Sequence, residues 1–194
     1  MFKIIYAIGL IAMFIIRMYY RWRYRTNQIV ENRIGTLEVL LLSVAFIGML
    51  VIPLTYVFTP LFSPANYYLS NWAGWLGTAV FAAALLLLWR THADLERNWF
   101  QSLEIRKEHQ IVTTGVYKYI RHPMYAAFLL WGIAQPLLLH NWIAGWSHLL
   151  SFGLLYFFRV SREEQMMLDQ FGEEYRAYMN RTRRIIPYLL RRKK

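Results

Sequence analysis

The chain has 194 residues, of which 57% are hydrophobic and 18% aromatic, and its formal net charge is +11. The apolar residues fall in blocks separated by basic loops, a pattern typical of one membrane domain rather than of a soluble protein. Lysine and arginine beside membrane spans account for the charge, so we expect no nucleic-acid partner. The absence of cysteine excludes disulfides, thiolate nucleophiles and cysteine-based metal sites.

Five membrane spans are predicted in chain order. They cover Phe2–Tyr20, Leu37–Phe58, Trp72–Trp89, Met124–Leu139 and Trp142–Phe158. Residues 1–20 lack a basic segment followed by a cleavage site of small residues, so the first span is expected to be retained. Lys3 and Arg17, near its ends, are expected to extend to the membrane surface. Pro53 is expected to kink the second span, and Glu38 lies at the edge of that span.

The last two spans are predicted to form a helical hairpin. Between Arg121 and Arg159 the chain has no lysine, arginine or acidic residue. One helix over residues 124–158 would be ~52 Å long, which exceeds the ~30 Å hydrocarbon core. A turn at His140 and Asn141 removes this conflict and brings the two charged ends to the same face of the membrane.

The distribution of basic residues predicts the orientation of the chain. Five lie in residues 17–33, six in residues 90–121 and ten in residues 159–194, whereas the connection at residues 59–71 carries none. The positive-inside rule therefore places the N-terminus outside, and both basic loops and the C-terminus in the cytoplasm. All eleven acidic residues fall on the same inner side, so polar chemistry is expected there.

The predicted fold class is an all-α integral membrane protein with a single domain, residues 1–194. Its parts are three N-terminal spans (1–89), a cytoplasmic cofactor-binding loop (90–123), the hairpin (124–158) and a cytoplasmic C-terminal segment (159–194). Within the last part, apolar residues at helical spacing between Ser161 and Met179 predict an amphipathic helix against the membrane or over the site. The β-branched residues and the glycine between His109 and Tyr119 predict an extended segment.

The first polar motif, RHPMY, runs from Arg121 to Tyr125 and precedes the fourth span. A residue before proline is biased toward an extended backbone, and Pro123 suits the first turn of a helix. The N–H groups that follow form an anion site, to which Arg121 and His122 can add donors. An ordinary basic membrane flank with a helix-starting proline would explain the same residues, and both interpretations stay open.

The second polar motif, RVSREE, follows the fifth span. Arg159 and Glu163 are four residues apart and share a helix face, whereas Glu164 points elsewhere. If solvated, this ion pair would contribute only tenths of a kcal/mol, and that plain structural role stays open.

Polar residues inside the spans are candidates for function by default. Gln135 either lines a cavity or hydrogen-bonds a neighbouring helix, and Asn141 lies at the predicted turn. His140 and His148 are expected at the outer interface. The five histidines show no metal-binding spacing, so no metal is expected.

The pieces HQIVTTGVYKYIRHPMY, Gln135, Asn141, FFRVSREE, FGEEY and IIP, in this order, resemble the isoprenylcysteine carboxyl methyltransferase family over about residues 97–188. The same pieces are more loosely similar to phospholipid N-methyltransferases, and two of them to NADPH-dependent membrane sterol reductases. The family resemblance implies transfer of a methyl group from S-adenosylmethionine to the C-terminal carboxylate of a prenylated cysteine or a similar lipophilic substrate. Such a substrate would reach the site from the bilayer, with membrane lipid as the other partner.

The resemblance also implies roles for individual residues. The cofactor-binding residues would be His109, Gln110, Ile111, Val112, Tyr117, His122, Pro123, Met124, Tyr125, Glu163 and Glu164. Glu163 would take the ammonium group of the cofactor, and Arg159, with Arg121 as a second contact, would position the substrate carboxylate. Many family members have glycine where this chain has Ala127, so the added methyl group would narrow the approach of the backbone to the cofactor.

The implied chemistry agrees with the ionisation of the substrate. A C-terminal carboxylate has an ordinary pKa near ~3.5 and is already ionised, so methyl transfer to it needs placement and exclusion of water but no base. A phospholipid amine must first lose a proton, for which His122 or Glu164 would serve, and this possibility stays open. An NADPH-dependent reductase and a purely structural or transport protein also stay open on the sequence.

Overall fold

The computed structural model describes residues 1–24, 29–32, 35–95, 104–106 and 111–188, with the backbone alone described for 29–32 and 104–106. Its helices are α1 (Phe2–Arg23), α2 (Thr36–Phe58), α3 (Asn71–Leu95), α4 (Pro123–Leu139) and α5 (Trp142–Arg181). Two short strands, β1 (Ile29–Asn32) and β2 (Glu104–Arg106), pair antiparallel. The all-α prediction did not include this strand pair.

Four of the described helices, α1, α2, α3 and α5, are long and apolar enough to cross a membrane. The fifth, α4, has 17 residues and extends about 25 Å, slightly less than a ~30 Å hydrocarbon core. The helical architecture is therefore confirmed, while the count of five membrane crossings stays a prediction. In α2 a π-helical segment, Ile47–Val51, lies ahead of Pro53, whose missing N–H favours such an irregularity.

Only His140 and Asn141 separate α4 from α5. His140 adopts the left-handed conformation (φ 47°, ψ 43°) that ends α4. The side-chain oxygen of Asn141 accepts hydrogen bonds from the first backbone N–H groups of α5, at 3.0 and 2.8 Å, and so caps that helix. Its amide nitrogen donates to the carbonyl oxygen of Phe62, at 2.7 Å, and thereby ties the turn to the connection between α2 and α3.

α5 continues without a break from the predicted membrane span past Arg159 as far as Gly172, where a kink separates it from a second helical segment. It has 40 residues, and its backbone leaves helical geometry only at Gly172 (φ 51°, ψ −123°). The part before Gly172 extends about 45 Å, more than the ~30 Å core. The portion that follows Arg159 therefore lies beyond the membrane-spanning segment. The helix runs through the charges from Arg159 to Glu164, and of these Arg159, Glu163 and Glu164 have partners within the protein.

Packing places α4 at the centre of the molecule. It contacts α3 on one side and α5 on the other, with α1 packed on α3 and α4, and α2 packed on α5. Aromatic side chains fill the interior, where the ring of Phe81 lies 5.7 Å from that of Tyr6 and 5.6 Å from that of Trp131. In contrast, α1 and α2 touch each other only slightly.

Two polar residues of the spans lie in this interior. Gln135 accepts a hydrogen bond from the hydroxyl of Tyr6 at 2.8 Å and donates to Ser147 at 3.2 Å, so it joins α1, α4 and α5. This contact decides between its two predicted roles in favour of helix packing. The prediction that His148 lies at the outer interface is wrong, because His148 is fully buried with its ring 4.5 Å from that of Trp131.

Candidate active site

A cavity of about 370 Å³ lies where α1, α2, α4, α5 and the segment before α4 meet. Along α5 its lining changes from Phe152 and Leu155 to Arg159 and Glu163. The residues that α4 contributes to the lining also change from apolar to polar, from Trp131 to the motif residues at the start of the helix. The cavity therefore has an apolar end inside the helix bundle and a polar end at the side predicted to be cytoplasmic.

Most of the predicted site residues line this one cavity. They are Ile111, Val112, Tyr117, Arg121, His122, Pro123, Met124, Tyr125, Arg159 and Glu163. Glu164 is buried, at 3% exposure, behind this lining. His109 and Gln110 lie outside the described residues. Two motifs that are far apart in sequence thus form the walls of a single site.

The RHPMY motif reaches Glu163 directly. His122 has a non-helical backbone (φ −123°, ψ 60°) and Pro123 is the first residue of α4, as the motif predicted. The hydroxyl of Tyr125 donates a hydrogen bond of 2.6 Å to Oε2 of Glu163, and Nδ1 of His122 lies 3.7 Å from Oε1 of the same carboxylate. Glu163 is therefore held in place while its side chain remains 17% exposed.

Arg159 is not part of a solvated ion pair. Its side chain is 7% exposed, its Nε atom lies 3.8 Å from Oε2 of Glu163, and its Nη1 atom lies 3.1 Å from Oε1 of Glu38. Glu38, expected at the edge of the second span, is 1% exposed. Since an unbalanced buried charge is very unfavourable, Arg159 and Glu38 each depend on the charge of the other for their burial.

Glu164 is surrounded by three cationic or hydrogen-bonding groups. The Nε atom of Arg121 lies 2.9 Å from its Oε1, the Nε2 atom of His122 lies 3.2 Å from the same oxygen, and Nη2 of Arg184 lies 2.7 Å from Oε2. Burial disfavours the charge of Glu164, but the hydrogen bonds from these partners outweigh burial and lower its pKa from 4.5 to about 2. Glu164 is consequently a poor acceptor for a proton from substrate.

Arg121 also fastens the C-terminal segment to the start of α4. Besides Glu164, its guanidinium donates to the carbonyl oxygens of Met179 and Thr182. The backbone N–H groups of Arg121 and His122 donate to carbonyl oxygens of the segment that follows α5, both at 2.8 Å. Arg121 thus lines the cavity, but its hydrogen bonds go to the protein itself.

Two features of the site were not predicted. Arg17, expected to extend to the membrane surface, lines the cavity, with its guanidinium carbon 5.6 Å from the centre of the Phe128 ring. Within the segment expected to be extended, residues Gly115–Lys118 form a 3₁₀ turn, fixed by a hydrogen bond of 2.8 Å from the backbone N–H of Val116 to Asp94. The tail of α5 lies over the site, which is one of the two positions expected for it, and its tyrosines at positions 175 and 178 complete the lining.

A signal for Arg17 was present in the sequence. Arg17 follows Tyr6, Leu10 and Met13 at helical spacing, and all three of these residues are buried. Ala127, which stands where many family members have glycine, is not among the described residues that line the cavity. It is 2% exposed and packs in the core, so a narrower approach of the backbone to the cofactor stays a prediction.

Comparison with known proteins gives matches in sequence. Residues 75–169 match the model of the isoprenylcysteine carboxyl methyltransferase (ICMT) family. The protein-S-isoprenylcysteine O-methyltransferase of Schizosaccharomyces pombe is 35% identical over 85 residues, which cover 43% of this chain and 35% of that protein. Protein-S-isoprenylcysteine O-methyltransferase B of Arabidopsis thaliana is 28% identical over 160 residues, 79% of each chain. The Homo sapiens enzyme of that name is 36% identical over 81 residues, 42% of this chain and 28% of that protein.

The matched part therefore spans about a third of the yeast and human proteins and most of the plant protein. A solved structure of the eukaryotic intramembrane Ras methyltransferase ICMT has the same fold, with a TM-score of 0.55 at 24% identity, over 82% of this chain and 55% of that one. This fold and the four long apolar helices make the chain an integral, multi-pass membrane protein. The resemblance to the isoprenylcysteine carboxyl methyltransferase family seen in the sequence is confirmed over residues 75–169, just under half of the chain.

Proposed function

We propose that this protein is a membrane methyltransferase that transfers a methyl group from S-adenosylmethionine to the C-terminal carboxylate of a prenylated cysteine or a similar lipophilic substrate. The observation that carries the proposal is one cavity whose apolar end lies inside a helix bundle and whose polar end holds Arg159 and Glu163. A charged cofactor and an apolar substrate would meet there. The names of the similar yeast, plant and human proteins support the same activity.

The polar end suits the chemistry of S-adenosylmethionine. Glu163, oriented by Tyr125, would accept the ammonium group. The N–H groups of the first turn of α4, after Pro123, would donate hydrogen bonds to the carboxylate of the methionyl part. Val112 and Tyr117 offer apolar and aromatic surface to the adenosine, and the other predicted cofactor residues at 109–111 and 122–124 keep their proposed roles. When bound, S-adenosylmethionine supplies a methyl group activated by the sulfonium charge.

The residues of the chain would place the substrate rather than activate it. The substrate carboxylate is ionised well below neutral pH, so the protein need not remove a proton. Arg159 would hold one carboxylate oxygen and leave the other free to attack the methyl carbon. Because Arg121 is bound to Glu164 and to backbone carbonyls, we assign both residues a supporting role, in which they keep His122 and the C-terminal segment against the site.

A lipophilic chain would enter the cavity sideways from the bilayer. Phe14 of α1 and Phe46 of α2 line the cavity and are also 42% and 55% exposed on the outer surface of the bundle. Since α1 and α2 touch only slightly, the surface between them is the natural opening. Each methylene group of a prenyl chain buried there contributes about 0.8 kcal/mol to binding, which favours long apolar substrates.

An amine substrate is less well supported by the geometry. It requires a base, and of the two predicted candidates Glu164, with a pKa of about 2 and three partners, is unsuited to that role. This leaves His122, whose ring nitrogens already lie 3.7 Å from Glu163 and 3.2 Å from Glu164. An NADPH-dependent reductase would require a site for the 2′-phosphate of that cofactor. The proposal therefore keeps the carboxylate as the acceptor and places the reaction at the cytoplasmic end of the bundle.

The proposal is tested with the purified protein in mild detergent or nanodiscs. Calorimetry should show binding of S-adenosylhomocysteine and none of NADPH. With methyl-labelled S-adenosylmethionine, N-acetyl-S-farnesylcysteine should gain label that alkali releases as methanol, because the product is an ester. Alkali-stable label in phosphatidylethanolamine would instead identify an amine methyltransferase, and a protein that binds no S-adenosylhomocysteine would contradict the whole class.

A further inference from the structure

The first helix contributes a positive charge to the cavity. Arg17 lines it together with Met13 and Phe14 of the same helix. The guanidinium of Arg17 is partly buried, lies over the ring of Phe128 at 5.6 Å, and is close enough to Arg159 for the two charges to repel. Two cations that face the same cavity from different helices are stabilised when an anion lies between them.

The charges around Arg159 show why one arginine is not sufficient for an anionic substrate. Arg159 already has Glu38 at 3.1 Å and Glu163 at 3.8 Å, so two carboxylates surround it before any substrate arrives. A substrate carboxylate would add a third negative charge at the same place. Arg17, which lines the same cavity from α1, supplies positive charge where this addition would otherwise be repelled.

The position of Arg17 along α1 also suits this role. Met13 and Phe14 precede it by one turn and belong to the apolar lining, so Arg17 stands at the boundary between the apolar and polar ends. A prenylcysteine has the same order, with an apolar chain followed by a carboxylate. The two arginines therefore face the point at which the head group of such a substrate would lie.

We propose that Arg17 is a substrate-binding residue that holds the substrate carboxylate together with Arg159 and makes the site prefer a lipophilic acid over a neutral lipid of the same shape. The proposal rests on the proposed function for the identity of the acid. It adds a residue from the N-terminal half, outside the segment that matches the family model.

The test compares binding of N-acetyl-S-farnesylcysteine with binding of its methyl ester, which keeps the chain and removes the charge. The wild-type protein should bind the acid more tightly than the ester. In Arg17→Gln the affinity for the acid should fall about tenfold or more, as expected for loss of a charge-assisted hydrogen bond. The affinities of this variant for the ester and for S-adenosylhomocysteine should stay within about twofold of those of the wild type, because neither ligand loses a charge-assisted hydrogen bond to Arg17.

Arg21→Gln is the matched control, because Arg21 lies on the same helix but is exposed and outside the cavity lining. It should bind the acid as the wild type does. Arg17→Lys keeps the charge and should retain part of the preference for the acid. If Arg17→Gln does not bind S-adenosylhomocysteine, Arg17→Met, which keeps the apolar stem, takes its place in the comparison.

Equal binding of the acid by the wild type and the Arg17 variants would overturn the inference, even if methyl transfer occurs. The reverse result is also informative. If the acid is preferred in an Arg17-dependent way but gains no methyl group, the binding role stands and the proposed function fails. The two proposals therefore fail in different experiments.

Discussion

The Nη1 atom of Arg159 lies 3.1 Å from the Oε1 atom of Glu38, so a carboxylate of α2 holds the arginine that α5 presents to the cavity. Glu38 is outside residues 75–169, the segment that matches the family model. The position of Arg159 consequently depends on a part of the chain in which the sequence contains no recognised motif. The N-terminal helices are thus part of the site and not only its membrane support.

We expect Glu38→Gln to impair catalysis more than cofactor binding. Loss of the carboxylate leaves the buried Arg159 without its nearest counter-charge, and removal of one partner of such a pair is strongly destabilising. Arg159 should then move toward Glu163, which lowers kcat/KM for the prenylcysteine about tenfold or more if one charge-assisted contact is lost. The measurement is a comparison of kcat/KM with the affinity for S-adenosylhomocysteine.

Two further variants separate this effect from general destabilisation. Glu38→Asp keeps the charge and should recover part of kcat/KM. Glu173→Gln removes an acid whose side chain is 87% exposed, and it should behave as the wild type. Unchanged kcat/KM in Glu38→Gln would show that Arg159 does not need Glu38.

We expect Glu164→Gln to loosen the C-terminal segment. The substitution removes the carboxylate that binds Arg121, His122 and Arg184, so protease should cleave the chain near residues 182–184 more rapidly and S-adenosylhomocysteine should bind more weakly. Because hydrogen bonds to charged groups contribute about 1.5–3 kcal/mol each, a fall of several degrees in Tm is expected. Limited proteolysis and thermal unfolding measure these effects.

The contribution of Glu164 to the stability of the folded protein depends on pH in a definite direction. The pKa of Glu164 is lowered from 4.5 to about 2 in the folded protein, so its stabilisation is complete above pH 4.5 and is lost as the pH falls toward 2. The difference in Tm between the wild type and Glu164→Gln should therefore be constant from neutral pH to about pH 5 and shrink below it. A difference that grows on acidification would contradict the assignment.

Gly172→Ala and Gly153→Ala form a matched pair. Neither glycine has another group within 4 Å of the position of an added Cβ, but Gly172 has φ +51°, whereas Gly153 has helical geometry. Alanine at residue 172 should cost about 1–3 kcal/mol of local stability through backbone strain, and alanine at residue 153 should be neutral or stabilising by about 0.5–1 kcal/mol. Equal effects on thermal unfolding would show that the break at Gly172 is not required.

The rate of methyl transfer should be nearly independent of pH above about pH 5, because the acceptor carboxylate, with a pKa near ~3.5, is ionised throughout that range. Initial rates with a saturating prenylcysteine substrate provide the measurement. A rate that rises through the neutral range would indicate a required base and favour an amine acceptor.

Local rules predicted the features that depend on neighbouring residues. Pro123 begins α4 and His140 with Asn141 forms the turn to α5, because proline and helix-capping residues act within a few positions. The family resemblance predicted that the motif residues share one site. These features needed no knowledge of the tertiary structure.

The remaining features depend on distant partners. Glu38 is buried because Arg159, far along the chain, balances its charge. Glu164 is buried within the charged stretch of α5 because it meets Arg121 and Arg184 from two other segments. Helical spacing could have identified Arg17 as inward-facing, but the rule that arginine extends to the membrane surface led to the opposite expectation.

α5 also sets a fixed distance between its tryptophan end and Arg159. It begins beside Trp142 and Trp146, whose rings stack at 6.5 Å and which are exposed at the far end of the bundle, where an aromatic belt is expected. About 20 Å of helix separates Trp146 from Arg159. Since the helix is unbroken over this distance, the aromatic belt of the opposite leaflet would fix the depth of the proposed reaction point, and a change in bilayer thickness that tilts α5 would shift Arg159 and Glu163 together.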